Sequence, residues 1–371
     1  MKSLAIIGST GSIGKSSLDV YRKNKNLFKL LYLAANTNFQ KLHKQSKIYK
    51  PKSIFLINHA SYSKYKTKSK LLINVNDIFR SKNKKIDYVI SGVSSFEAID
   101  INFKLLKIAK NLLIANKETI ICGGEYFLKE AKKNKCNIVP IDSEHHCIDF
   151  FIKNFSQNNQ IDKIYITASG GPFLNKKINY YEKLANVLKH PTWKMGKKIT
   201  IDSSTLANKV LELFEAKILF KLPAKKLKIA IEEKSKVHSI IVLKNKILMP
   251  IVHTPNMILP IANSLNVSNN CNISIENLKI NFLPVDSKKF KLVKLGYEIL
   301  KRNSPFLMIL FVVLNERLVK KFINNQINYG DISTYLVKAF KKKNLLNKSK
   351  HSIKNFNDIK KAINFANNLI L

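Results

Sequence analysis

Short apolar segments alternate with amphipathic segments along the first part of the chain. Each apolar segment is followed by a glycine or a polar residue, which is typical of buried strands in a parallel sheet. The predicted strands are Ser3–Ile7, Leu30–Ala35, Ser53–Ile57, Tyr88–Ser91, Leu112–Ala115, Asn137–Ile141 and Ile164–Ile166. Strands that alternate with helices predict an α/β fold, in which ligands bind at the carboxyl edge of the sheet.

The pattern changes near the C-terminus. The segment Phe290–Leu371 has the spacing of amphipathic helices, and the Asn-rich segment Asn263–Asn277 is predicted to be a linker. The apolar run Pro305–Leu314 is about half as long as a membrane-spanning helix and is therefore predicted to be a buried helix. A chain of 371 residues is too long for one ordinary domain. The predicted division is 1–143, 144–265, a linker at 266–289, and a helical domain at 290–371.

A glycine-rich turn follows the first predicted strand. Gly8, Gly11 and Gly14 lie between that strand and a predicted helix that runs to Tyr21. A strand, a glycine turn and a helix form a phosphate cradle, because glycine permits close backbone approach and the helix N-terminus faces the anion. The glycine spacing alone is weak evidence, and a merely structural turn is the alternative.

The stretch 190–215 contains the most promising chemistry. A loop-like segment, His190–Gly196, holds the single Trp of the chain, and a β-prone run, Ile199–Ile201, follows it. The polar cluster Asp202–Thr205 is predicted to cap the N-terminus of the next helix. Such a helix end binds anions, because its N–H groups and its dipole point outward.

Helical spacing predicts two faces on the helix that follows. One face is apolar, with Leu206, Val210, Leu213 and Phe214. Asn208, Lys209 and Glu212 share the other face, so an amide, a cation and a carboxylate converge there. The alternative interpretation is an ordinary solvated face of an amphipathic helix.

Two carboxylates follow the sixth predicted strand. If the chain stays extended through Asp142-Ser143-Glu144, the period of two places both carboxylates on one side. Two such carboxylates, with a third from elsewhere, are hard oxygen ligands suited to Mg²⁺ or Mn²⁺. A solvated acidic turn is the alternative.

The charge is extreme but scattered. The 65 Lys and Arg residues against 24 Asp and Glu give a formal net charge of +41, which usually indicates nucleic acid or an anionic membrane as partner. Because the lysines occur in every segment rather than in one stripe, the charge favours instead attraction of an anionic substrate and cofactor.

The four cysteines show no metal-ligand spacing and are predicted to be reduced thiols of a cytosolic protein. The chain starts directly with a strand, so no targeting segment is expected.

Several motifs occur together in a fixed order. They are the glycine turn at Gly8–Gly14, Asn116-Lys117-Glu118, Asp142-Ser143-Glu144, Thr167–Gly171 and His190–Glu215. In these motifs the sequence resembles the 1-deoxy-D-xylulose 5-phosphate reductoisomerases of non-mevalonate isoprenoid synthesis. The resemblance implies a Rossmann-like dinucleotide domain, a central α/β catalytic domain and a C-terminal helical bundle. It also implies a cytoplasmic homodimer that acts on a phosphorylated sugar with NADPH and Mg²⁺ or Mn²⁺, without a membrane or a specific nucleic acid.

The resemblance implies a role for each matching residue. Lys117, Glu144 and His190 are expected to be catalytic, and Asp142, Glu144 and Glu212 to bind the metal. The expected substrate-binding residues are Ser143, Ser169, His190, Trp193, Ser203, Asn208 and Lys209. The expected cofactor-binding residues are Gly8, Thr10, Gly11, Ser12, Ile13, Asn36, Asn38, Asn116, Lys117, Glu118 and Gly196. His190 and Trp193 match a flexible loop that closes over the substrate.

The sequence also departs from the family pattern. Asn36 and Thr37 stand where Gly and then Lys or Arg are usual. The segment also has no Asp or Glu, the residue type that holds the ribose hydroxyls of NAD, which argues against NAD as the cofactor. Other departures are His146, Cys147, Ala168, the segment Glu232–Lys234 in place of His-Pro-Gln, and the segment His253–Ile258 in place of Gly-x-Pro-Asp-Met-Arg. Another NAD(P)-dependent oxidoreductase, such as a semialdehyde dehydrogenase, and a basic nucleic-acid-binding or inactive relative are the alternatives.

Overall fold

The computed structural model describes residues 1–80, 84–155, 160–193, 195–271, 273–276, 278–342, 345 and 351–370. The contacts within the chain divide it into two compact units. The first unit comprises Met1–Asn116, Phe127–His146 and Asn256–Cys271. The second comprises Lys117–Tyr126, Cys147–Pro255 and Asn272–Leu371.

Strands and helices alternate as the sequence pattern predicts. The strands are β1 (Lys2–Ile7), β2 (Phe28–Ala35), β3 (Ser53–Leu56), β4 (Ile86–Ser91), β5 (Ala109–Ile114), β6 (Asn137–Pro140), β7 (Ile161–Ala168), β8 (Leu227–Ile231), β9 (Val237–Leu243) and β10 (Leu248–Val252). The helices are α1 (Ser12–Lys23), α2 (Phe39–Tyr49), α3 (His59–Tyr65), α4 (Val75–Arg80), α5 (Ile99–Ile108), α6 (Lys117–Lys133), α7 (Ser143–Phe155), α8 (Leu184–Val187), α9 (Lys197–Ser204), α10 (Ala207–Phe220), α11 (Ile258–Ser264), α12 (Lys291–Arg302), α13 (Pro305–Ile323), α14 (Tyr329–Lys341) and α15 (Phe356–Asn367).

The first unit is built on a six-stranded parallel sheet. Its strand order is β3-β2-β1-β4-β5-β6, so the order reverses between β1 and β4. Apolar side chains of the central strands are fully buried, with α1, α2 and α11 contributing to the same core. This is the doubly wound dinucleotide-binding topology, in which ligands bind at the reversal point beyond the carboxyl ends of the strands.

The second unit combines a mixed sheet with helices. The strand order is β10-β9-β7-β8, with β7 parallel to β8 and antiparallel to β9. The predicted buried helix at Pro305–Leu314 is confirmed and extends to Ile323 as α13, which packs against α9, α14 and α15. Most of its residues are buried, so it is a central helix rather than an amphipathic one. No helix among the described residues is both long enough and apolar enough to cross a membrane.

Three local predictions are wrong. The β-prone run Ile199–Ile201 lies inside α9, because packing of Thr200 and Ile201 in the core outweighs the weak strand preference of β-branched residues. The chain does not stay extended through Asp142–Glu144, since β6 ends at Pro140 and the main-chain oxygen of Asp142 already accepts from His146 N at 2.7 Å. The linker predicted at Asn263–Asn277 is partly wrong: its start forms the end of α11, while Asn272 and Asn277 lie outside the described residues.

The start of α10 also differs from expectation. The predicted cap at Asp202–Thr205 is wrong for Asp202, Ser203 and Ser204, which end α9. Thr205 bears it out in part, since its hydroxyl accepts from the main-chain N–H of Ala207, the first residue of α10, at 3.3 Å. Leu206 lies before α10 in the left-handed region at φ 58° and therefore does not belong to its apolar face. The side chains of Asn208, Lys209 and Glu212 are buried, so the solvated-face alternative is wrong.

Candidate functional site

The glycine turn of the first unit is tightly closed. Gly8 has φ 85°, and a Cβ atom there would lie 2.8 Å from the main-chain carbon of Gly92, just beyond β4. A Cβ on Gly14 would lie 2.3 Å from the main-chain oxygen of Gly8. The predicted strand, turn and helix are therefore confirmed, and the N-terminus of α1 opens where the strand order reverses.

Other predicted cofactor residues lie around this turn. Asn36 and Asn116 follow β2 and β5, whose carboxyl ends share one edge of the sheet. The side chain of Asn38 accepts from the main-chain N–H of Lys41 and caps α2. The ammonium of Lys41 donates to the main-chain oxygen of Thr10. Burial, and then repulsion from the nearby ammonium of Lys15, lower the pKa of Lys41. Two lysine side chains therefore lie close together beside the turn.

Two predicted metal ligands lie at the start of α7 in the first unit. Glu144 is in the first helical turn, where the helix dipole favours a carboxylate. Its Oε2 accepts from the hydroxyl of Ser143 at 2.7 Å. The carboxylate of Asp142 lies 3.8 Å from Nδ1 of the buried His145. Helix formation, rather than an extended chain, thus brings these residues to one helix end.

A buried cluster of charges lies in the second unit. The Glu212 carboxylate contacts the ammonium of Lys117 at 3.2 Å and that of Lys209 at 2.7 Å. Asn208 joins both, since its Oδ1 accepts from Lys117 at 2.8 Å and its amide donates to Glu212. Two cations therefore surround one carboxylate where water is excluded. Buried ammonium groups are favourable partners for an anion.

Two serines and a histidine lie close together in the same unit. Nε2 of His190 is 3.0 Å from Ser169 Oγ and 3.1 Å from Ser203 Oγ. Gly171 has φ 66°, and a Cβ there would lie 2.9 Å from the main-chain oxygen of Ser203. The glycine thus lets the turn after β7 pass directly against α9.

His190 is held in its neutral form. Its Nδ1 accepts from the main-chain N–H of Trp193 at 2.9 Å and of Thr192 at 3.2 Å, so the ring proton lies on Nε2. Burial, and then the charge of Lys209, lower the pKa of His190 to about 4. At neutral pH its Nε2–H is a donor that faces the serine hydroxyls.

The structure also places Trp193 and Gly196 of the 190–196 loop. The Trp193 indole packs edge to face on His238, with ring centroids 6.2 Å apart. Gly196 precedes the first residue of α9 and has an extended backbone conformation. Lys194 lies outside the described residues.

Sequence reasoning missed a second buried ionic network. The ammonium of Lys198 contacts the Glu118 carboxylate, and it lies 3.0 Å from Asp202, whose other oxygen accepts from Asn315 at 2.7 Å. Desolvation lowers the pKa of Lys198, but the charges of Asp202 and Glu118 outweigh it and raise the pKa overall. Lys198 and Asp202 have the i,i+4 spacing of a helical ion pair. A correct helix prediction for α9 would have revealed this pair, but not the contacts with Glu118 and Asn315.

The fold and these residues define a class: an α/β protein with a dinucleotide-binding topology, whose second unit holds a cluster of cationic and hydroxyl side chains. Family models agree along most of the chain. Residues 4–124 match the 1-deoxy-D-xylulose 5-phosphate reductoisomerase model, and 138–220 and 252–368 match two models of the C-terminal domains of these enzymes. The chain belongs to the 1-deoxy-D-xylulose 5-phosphate reductoisomerase family.

Individual relatives cover nearly the whole chain. The reductoisomerase of Pelagibacter ubique is 39% identical over 91% of this chain and 90% of its own length. That of Lachnospira eligens is 35% identical over 94% of each chain. A solved structure of DOX-P reductoisomerase in complex with NADPH, fosmidomycin and magnesium is 28% identical, covers 99% of this chain and 98% of its own, and has a TM-score of 0.88.

Proposed function

We infer that this protein converts 1-deoxy-D-xylulose 5-phosphate to 2-C-methyl-D-erythritol 4-phosphate, in a reaction that depends on NADPH and a divalent metal ion. The chain matches the family over its first and second units, and a structural relative in that family binds NADPH and magnesium. The observation that carries the proposal is the buried Lys117–Asn208–Lys209–Glu212 cluster beside a neutral histidine. Neither alternative enzyme class nor nucleic-acid binding is favoured by these matches.

The substrate phosphate would be held by Ser169, Ser203, Asn208 and Lys209. These residues offer two hydroxyl donors, an amide and an ammonium, which are the groups that bind phosphate oxygens. The contacts of Ser169 and Ser203 with His190 support a shared site for these donors. Binding energy from the phosphate, which does not react, can be used to orient the reacting carbons.

The proposed metal ligands are Asp142, Glu144 and Glu212. All three are carboxylates, so the donor set fits Mg²⁺ or Mn²⁺ rather than a soft metal. The two lysines that contact Glu212 carry the opposite charge, which favours the carboxylate form that a metal ligand requires. The ion, when bound, supplies Lewis-acid polarisation of substrate oxygens. Lys117 would hold and orient Glu212 and is the proposed catalytic cation.

The proposed cofactor site lies at the glycine turn. Gly8, Thr10, Gly11, Ser12 and Ile13 would surround the pyrophosphate at the N-terminus of α1. Asn36 and Asn38 would lie towards the ribose, and Asn116–Glu118 and Gly196 towards the nicotinamide. NADPH, when bound, supplies the hydride for the reduction. The ionic contact of Glu118 with Lys198 supports a fixed position for the 116–118 segment.

The 190–196 loop would cover the substrate. His190 would donate Nε2–H to a substrate oxygen, and Trp193 would exclude water from reactive intermediates. Ser143, beside Glu144, would contact the substrate as well.

The proposal also includes a domain division at residues 143, 265 and 289 and a homodimeric assembly, both of which rest on the family resemblance. It further includes a cytosolic location, which the free cysteines support.

The direct test is an assay of the purified protein with 1-deoxy-D-xylulose 5-phosphate, NADPH and Mg²⁺ or Mn²⁺. We expect substrate-dependent oxidation of NADPH, followed by its absorbance, and loss of turnover when the metal is chelated. Activity that persists without a divalent ion would favour another class of NAD(P)-dependent oxidoreductase. Formation of the methylerythritol phosphate is to be confirmed by NMR of the product.

The metal assignment is tested by Glu212→Gln. This change keeps the shape of the side chain but removes the charge, so turnover should fall by at least about a hundredfold, as expected for loss of a strong electrostatic stabiliser. The control is Glu298→Gln on α12, where the side chain is exposed. Near-normal turnover in folded Glu212→Gln protein, with folding checked by circular dichroism, would contradict the assignment.

A further inference from the structure

The loop that carries Trp193 is attached to one turn of the second unit. The hydroxyl of Thr192 donates to the main-chain oxygen of Glu233 at 3.4 Å. The Trp193 indole meets the His238 ring edge to face, with an interplanar angle of 80°. The loop therefore contacts the turn 232–236, which joins β8 to β9, and His238 of β9.

His238 is itself fixed by a second imidazole. The rings of His238 and His253 are parallel within 9° and their centroids are 3.5 Å apart. Both residues are buried, with 2% and 5% of their surfaces exposed. Nε2 of His238 lies 3.2 Å from the main-chain oxygen of His253, so this nitrogen is the donor. His238 lies in β9, and His253 directly follows β10, the antiparallel partner of β9; its main-chain N–H donates to the main-chain oxygen of Lys236 at 3.0 Å.

The buried carboxylate of Glu232 stabilises the turn between β8 and β9. Oε1 of Glu232 accepts from the main-chain N–H of Lys234 at 3.1 Å. Oε2 accepts from those of Lys236 and Val237, at 2.6 and 3.1 Å. Only 2% of Glu232 is exposed, and Ser235 adopts the left-handed φ of 52° that the turn requires. Because both oxygens accept N–H bonds, a glutamine, with one oxygen and one NH₂, cannot replace them.

We propose that Glu232 and His253 are positioning residues for the substrate-covering loop: Glu232 sets the turn, His253 fixes His238, and His238 provides the surface on which Trp193 rests. The proposal builds on the function proposed above, since the loop matters only if it covers a substrate. Both residues stand at departures from the family pattern, so this surface is a feature of this chain. Their loss should weaken loop closure and raise KM for the sugar phosphate.

Trp193 reports on this surface without any substrate, because it is the single Trp of the chain. We expect Glu232→Gln to shift Trp193 emission to longer wavelength and to increase its quenching by acrylamide. Glu233→Gln is the matched control, since the Glu233 side chain is exposed and its main-chain oxygen is preserved. In the assay, KM for the sugar phosphate should rise roughly 2- to 10-fold, the loss of one aromatic contact, with the Kd for NADPH unchanged.

A second pair of variants tests the stacked rings. His253→Ala removes the partner of His238 and should give the same emission shift and KM increase. His253→Phe keeps a flat ring that can stack and should restore both values towards wild type. His59→Ala, at an exposed histidine in the first unit, is the control. Rescue by Phe separates ring stacking from a general loss of structure.

The outcomes are decisive in each direction. If Glu232→Gln fails to fold, as shown by circular dichroism, the two His253 variants carry the test. Unchanged Trp193 emission and quenching in His253→Ala would overturn the proposal, as would a shifted emission with an unchanged KM. A wild-type protein without activity would overturn the proposed function instead, while the fluorescence measurements still show whether Trp193 rests on the two histidines.

Discussion

Lys209 is nearly buried, and its charge acts on two neighbours. Its ammonium contacts Glu212 at 2.7 Å, and it helps to lower the pKa of His190. A cation in this position can neutralise a bound phosphate more strongly than a surface lysine, because less water screens it. This burial supports the proposed role of Lys209 in binding the substrate phosphate rather than the dinucleotide.

We expect Lys209→Ala to weaken binding of the sugar phosphate and to leave NADPH binding almost unchanged. The change removes a charge-assisted contact worth about 1.5–3 kcal/mol, or roughly 10- to 150-fold in affinity. Lys217→Ala on the same helix, at a partly exposed position, is the control. Calorimetric titration with each ligand measures the effect, and equal weakening of both ligands would assign Lys209 a structural or cofactor role.

His190 is the residue for which acid pH should matter. With its folded-state pKa near 4, below the ordinary 6.5, the unfolded chain takes up a proton before the folded chain does. The contribution of this residue to the free energy of unfolding should therefore decline as pH falls from about 6.5 to about 4. NMR of ¹⁵N-labelled histidine should show a neutral Nε2–H ring at pH 6. A midpoint near 6.5 would contradict the main-chain contacts at Nδ1.

At the scale of elements, the turn between β1 and α1 depends on which glycine is altered. A Cβ on Gly14 would collide with the backbone at Gly8 and Ser9, at 2.3 Å from both. A Cβ on Gly11 would lie 3.4 Å from the nearest atom, which is close to ordinary contact. The two positions look alike in the sequence motif but differ in their surroundings.

We expect Gly14→Ala to separate α1 from the turn, lower the melting temperature and abolish NADPH binding. Gly11→Ala should keep the fold, because the backbone there has an ordinary φ of −80°. Thermal melts and titration of NADPH fluorescence compare the two variants. Equal behaviour would indicate that the turn is free to rearrange.

Prediction from the sequence succeeded for the strands whose two sheet faces are both buried. It failed for the helix in which polar side chains are buried in the core. The six strands of the first unit were predicted because short continuous apolar runs are typical of parallel strands that are buried on both faces. Helix α9 was missed because Thr200, Asp202 and Ser203 are polar yet buried. Their partners, such as Asn315, come from far along the chain, and no local pattern shows them.

At the scale of the whole molecule, the net positive charge favours binding of both the sugar phosphate and the dinucleotide. The chain carries a net +41, and Lys15 and Lys41 lie beside the glycine turn. Lys44, another cation of α2, is exposed. The family's cation is missing at Thr37, so this general field and the amide and hydroxyl groups of the 36–38 segment must select the cofactor.

We therefore expect a preference for NADPH over NADH, expressed as the ratio of their kcat/KM values, that is small and decreases further as the salt concentration rises. Ionic strength of 0.15 M already screens charges beyond about 8 Å, so only near contacts keep their effect. The measurement is kcat/KM for both cofactors at low and high ionic strength. Equal values at low salt, or a preference for NADH, would show that Thr37 removed the discrimination.

The sequence alone determined the parallel dinucleotide-binding sheet, the glycine turn and the grouping of Asn208, Lys209 and Glu212. These features follow from local spacing, since strand and helix periods decide which neighbours share a face. Tertiary structure alone decided that this polar face is buried against Lys117, that His190 is neutral, and that the His253 ring stacks on His238. The physical reason is that desolvation and ion pairing depend on residues distant in sequence, whose approach only packing can determine.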